Sequence, residues 1–105
     1  MPNPIEIEIT TDIRRRAEWV EEYVNQPTQT GSPEAALQAL VRHAVAAGVD
    51  YLRYGTEQTS FTGQHNDEAY GKALGLAEAA KIATQGHIDD EQIVAAVQVA
   101  YTDSL

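Results

Sequence analysis

Arg14, Arg15 and Arg16 supply three of the seven basic residues in a 105-residue chain whose formal net charge is -9. Guanidinium forks beside hydroxyl groups are the parts that hold phosphate or carboxylate, and Thr10 and Thr11 stand just before the cluster. A helix that starts near Thr10 or Thr11 would add unpaired N–H groups carrying roughly half a positive charge. Cations are disfavoured there unless neighbouring acids relieve them or an anion is held. Trp19, with Tyr23, offers a flat surface for a base. The candidate ligand-binding set is therefore Thr10, Thr11, Arg14, Arg15, Arg16 and Trp19, and its ligand a small phosphorylated molecule such as a nucleotide. A purely structural account competes with it. Arg14 can pair with Glu18 one turn on, and Arg15 can lie over Trp19. Asp12 stands close enough to repel an anion.

The other reactive side chains do not assemble into a motif. In His65-Asn66-Asp67-Glu68 the asparagine reads as a helix cap and the acids as complements to the helix dipole. That leaves only His65 for metal or acid–base work, and a small hydrolase using it with Asp67 or Glu68 is kept as a contrast. His43 and His87 show no paired-histidine spacing, so no metal site is expected. The stretch from Gly86 to Asp90 lacks the upstream acids of a calcium loop, and Gln92 stands where a bidentate glutamate belongs. Glu18, Glu21 and Glu22 form an acidic face, but the second helix has only Glu34 and Asp50, at its two ends, to oppose them. No glycine-rich phosphate loop or nucleophile elbow occurs. The chain has no cysteine, which excludes disulfides and thiolate chemistry.

The elements that must position these residues follow from periodicity. Residues 5–9 alternate Ile5, Ile7 and Ile9 with Glu6 and Glu8, which predicts a half-buried strand. The first helix is then expected from Thr10 or Thr11 to about Asn25, with Ile13, Ala17, Val20 and Val24 inward and Trp19 and Tyr23 widening the stripe. Ser32-Pro33-Glu34 opens a second helix by cap, proline and acid, with Leu37, Leu40, Val41, Ala44 and Val45 buried. Its end is open: Gly48 can stop it, with a minor strand or hairpin over 49–63, or the helix can run on through Leu52.

Asn66 starts a third helix that reaches about Gln85. Gly71 and Gly75 weaken it by about 1 kcal/mol each, which makes sense if another backbone must come close there. Asp89 and Gln92 form a capping box, with Ile88 and Ile93 as a hydrophobic staple, so a fourth helix runs from Asp90 to about Tyr101. Ile93, Val94, Val97 and Tyr101 should face inward. The expected fold is mainly α: a small four-helix domain, 1–105, with an N-terminal β-strand.

Composition bounds the function. Hydrophobic residues make up 43% of the chain but lean to alanine, and Trp19 and Phe61 are each single, so the core should be thin. No apolar run approaches the roughly 18 residues of a membrane span. The N-terminus lacks the basic and apolar regions of a signal peptide, and the cytoplasm is the expected compartment. Acid excess opposes a broad nucleic-acid footprint. A strand and two helices outline a ribbon-helix-helix DNA-binding regulator, yet Glu6 and Glu8 would then face the phosphates. A helix-turn-helix made from the last two helices would lead with Asp89, Asp90 and Glu91, again the wrong sign. The expected function is non-enzymatic: a small acidic interaction or regulatory protein that associates with a protein partner as a homo-oligomer, without cofactor. Self-contact would use strand 5–9 or the Gly71/Gly75 face.

Overall fold

The computed structural model describes residues 4–57 and 63–104, and within them the side chains of 11–53 and 68–104. Four helices occur among the described residues: α1 (Pro4–Asn25), α2 (Pro33–Glu57), α3 (Gly63–Ala83) and α4 (Asp90–Asp103). No strand is found among them. The residues expected to form a strand, 5–9, belong to the start of α1. A lone strand leaves its whole backbone ladder without a partner, whereas a helix satisfies it internally. The open question over 49–63 resolves toward helix as far as Glu57, and residues 58–62, including Phe61, lie outside the described residues.

The helix ends are made by local chemistry. Ser32 caps α2, its Oγ accepting from the Ala35 N–H at 3.2 Å. At α4 the expected capping box forms: Asp89 accepts from the Gln92 N–H at 3.0 Å, and Gln92 Oε1 accepts from the Asp89 N–H at 2.8 Å. Helix α3 stops in a Schellman turn. The Gly86 N–H reaches Lys81 O at 2.8 Å and the Gln85 N–H reaches Ile82 O at 3.0 Å. Gln85 takes the left-handed conformation with φ 55 and Gly86 follows at φ 81.

Helix α1 has no basic residue in its last turn and is closed from outside instead. Buried Gln38 of α2 donates to Tyr23 O and Gln26 O at 2.9 Å each, and accepts from Thr28 Oγ1 at 2.7 Å. Arg42 donates to Val24 O. One amide and one guanidinium thus satisfy carbonyls that a helix C-terminus leaves without partners.

Packing runs α3–α2–α4–α1: α2 lies mainly on α3, α4 mainly on α1, and the α2–α4 crossing joins the two pairs. The result is a slab, 42 × 37 × 21 Å, about two helices thick. Its core is Ala17, Val20, Val41, Ala44, Ala80, Ile88, Ile93, Ala96 and Val97. Ile88 and Val41 are the largest side chains in full burial among the described residues, so alanine, valine and isoleucine fill the centre. Gly48, a possible helix stop in the sequence, lies inside α2 at the crossing, where a Cβ would overlap Val97.

Two expectations for the helix faces change. Val94 is 53% exposed and Tyr101 only half-buried, while Ala95 and Ala96 are buried, because α4 is flanked by α1 and α2 on sides where only small residues fit. Gly71 and Gly75 face open space, where a Cβ would have nothing within 4 Å, so among the described residues no helix makes the close approach they permit.

Candidate interaction site

Helix geometry decides the fate of the arginine cluster. Arg14 lies about three turns into α1, far from the unpaired N–H groups at the helix start. Consecutive helical residues diverge by about 100°, so the three side chains spread over about 200° of the helix rather than converging. Arg14 reaches Asp103 at the end of α4, 3.3 Å away, instead of Glu18. Arg16 pairs with Asp12 at 3.3 Å and with Glu91 at the start of α4 at 3.0 Å. These pairs are largely solvent-exposed, and each contributes about 0–1 kcal/mol. They fix how α1 lies along α4 more than they hold it there.

Of the sequence-derived set, Thr11, Arg15 and Trp19 share the outward face of α1, together with Glu18 and Glu22. The Thr10 side chain lies outside the described residues. Trp19 is 47% exposed. One side of its indole meets the His87 ring at 5.5 Å centroid distance, and Tyr23 meets the same imidazole at 5.6 Å. His87, set aside in the sequence as a lone histidine, latches the α3–α4 turn to α1. Tilted ring pairs of this kind contribute about 0.5–1.5 kcal/mol beyond the area they bury. No spacing in the sequence signals that contact, because it depends on how a turn folds back. Burial pushes the Tyr23 phenol above its ordinary value, and the Glu34 carboxylate adds to the shift, so the ring stays neutral in the cluster.

Two apolar clefts flank α4. One, of about 600 Å³, has a floor of Val20, Val24, Val45, Val49 and Val99 between α1 and α2. Its rim mixes signs, with Glu21, Asp50 and Asp103 beside Arg42 and Arg53. The other, of about 200 Å³, runs between α3 and α4 over Gly48 and Tyr51, edged by Tyr70, Leu74 and Val94. The sequence missed this second surface, since Val94 read there as an inward-facing position of the fourth helix.

Among the described residues no three His, Asp or Glu side chains gather in a way that could hold a metal ion. No helix among them is long and apolar enough to cross a membrane. No protein-family model matches the chain, and neither a curated protein nor a solved structure does.

Proposed function

We propose that this chain is a non-enzymatic interaction protein, engaging a protein partner through the outward face of α1 and working as a homo-oligomer. The observation that carries the reading is Trp19: a half-exposed indole, pinned on one side by His87, standing between Glu18 and Glu22 on an acidic helix. Trp is the residue type most enriched at interface hot spots, and pinning lowers the entropy lost on binding. The flanking carboxylates favour a partner with a basic surface, and the net charge of -9 speeds its approach. Arg15, on the same face, can take a carboxylate from that partner.

A small phosphorylated ligand at the start of α1 has less support, because Arg14 and Arg16 already serve Asp103, Asp12 and Glu91. The two readings separate by experiment. A photo-crosslinking residue in place of Glu22, in the cells that make the protein, is expected to trap one heterologous protein, and Trp19→Ala to abolish the product. Absence of any heterologous product at Glu18, Glu22 and Arg15 alike defeats the reading. In the purified protein, a saturating change in Trp19 fluorescence with a nucleotide, lost in Arg15→Ala, would restore the ligand alternative.

A further inference from the structure

The outward face of α1 carries three charged side chains that the fold leaves unused. Arg14 and Arg16 are held by Asp103, Asp12 and Glu91, and Arg42 by Val24 O. Arg15, Glu18 and Glu22 are exposed, and their side chains make no ion pair or hydrogen bond among the described residues. Trp19 stands among them, 47% exposed, with His87 on one side of its indole. We infer that a second copy of the chain covers this face, its α1 laid antiparallel on the first about a two-fold axis between Glu18 and Trp19. The inference rests on the proposed role of α1 and adds its regulation. The copy and the heterologous partner compete for Trp19, so the partner binds by displacing the copy.

The order of charges selects the copy. A two-fold contact needs a patch that is complementary to itself. Arg15 and Glu22 lie about two turns apart, within about 20° of one line along the helix, and equally far from the midpoint between Glu18 and Trp19. Reversal about that point sets Arg15 of one chain opposite Glu22 of its copy, and repeats the pair on the other side of the axis. Helix α4 does not have this property. Its acids stand at both ends, Asp90 and Glu91 against Asp103, so an antiparallel copy would meet like charge with like.

The aromatic contact follows from the same operation. Trp19 adjoins the axis and meets its own copy there, which covers the indole surface that His87 leaves open. Glu18 also comes near its copy, on the opposite flank of the seam, where water weakens the repulsion between them. Exposed ion pairs add little to affinity. Here they set register and direction, while the indoles supply the contact. Helix α1 ends the packing order α3–α2–α4–α1, and this face of it is turned away from the other helices described.

Sedimentation equilibrium of the purified full-length chain tests this with no other protein present. The expected result is a dimer at micromolar concentration. Arg15→Glu and Glu22→Arg should each raise its dissociation constant at least about tenfold, because each sets like charges together twice. The double variant carrying both should return to within about threefold of the wild-type value. Glu22→Arg makes the chain less acidic, so relief of general repulsion alone would tighten the dimer instead. A wild-type chain that stays monomeric, folded single variants that dimerise as tightly as wild type, or a double variant as weak as either single overturns the inference. Should a swapped chain misfold, cysteine supplies a second test, since the chain has none of its own. Glu18→Cys should form a disulfide-linked dimer under mild oxidation, and Lys72→Cys, exposed on α3, should not. Equal linkage at both positions, or none at Glu18→Cys, also overturns it. A monomeric result leaves the partner reading of α1 standing, because that reading is tested by cross-linking in cells.

Discussion

Gln38 shows how much one side chain can organise. It is 3% exposed, and its amide uses both ends: the nitrogen donates to Tyr23 O in α1 and to Gln26 O just beyond it, and the oxygen accepts from Thr28. Truncation leaves those carbonyls facing a small void, short of partners and shielded from water. Gln38→Ala is expected to lower the unfolding free energy by about 2–4 kcal/mol, read as a fall in the urea midpoint at constant slope. A change within about 0.5 kcal/mol, ordinary for a surface substitution, would show that water replaces the amide. Helical periodicity puts Gln38 on the buried stripe beside Leu37 and Val41, where a polar residue stands out. Its partners are a helix end and a loop, and no sequence pattern specifies where those come to rest.

At the scale of helices, the glycines divide into two kinds. Gly48 is required by the fold, because α4 lays Val97 where its Cβ would stand. Gly48→Ala should cost about 1–3 kcal/mol in overpacking against a gain near 1 kcal/mol in helix propensity, for a net loss measurable by thermal unfolding. Val97→Ala in the same chain should remove the steric part. Gly75 is the reverse case. Gly75→Ala has room, so it should add up to about 1 kcal/mol of stability, read as a rise in the urea midpoint. A loss of stability would mean that another backbone does approach α3. The sequence marks Gly71 and Gly75 as places of close approach and leaves Gly48 open, either a helix stop or a position inside a longer helix. Among the described residues the close approach falls at Gly48, because periodicity tells where a glycine falls on a helix and not which neighbour crosses it.

The whole molecule is a thin acidic slab rather than a rounded domain. Small residues at its centre allow α1, α2 and α4 to pack closely, and the large side chains are left toward the edges, where Trp19, Tyr70, Leu74, Ile82 and Val94 stand exposed. Two such slabs brought together in the proposed homo-oligomer would carry two sets of negative charge close to one another. Salt should therefore tighten the dimer, by about three- to ten-fold in dissociation constant between 0.01 and 0.15 M as the screening length falls from about 30 to 8 Å. Weakening by salt would instead point to an interface held by ion pairs.

Elements with a signature inside a few consecutive residues were readable before any fold was known. The cap at Ser32, the box of Asp89 with Gln92, and the inward stripes of α1 and α2 depend on contacts within a turn or two of helix. Residues 5–9 misled because alternation speaks for a strand only when a second strand is there to pair with it. Three adjacent arginines were equally visible, but whether they converge or diverge is a property of the helix beneath them. The tertiary structure decided what lies far apart in sequence: Arg14 on Asp103, His87 against Trp19 and Tyr23, and Val94 turned outward beside Leu74. Such contacts are set by how helices cross, and crossing is governed by the shape of all the faces together.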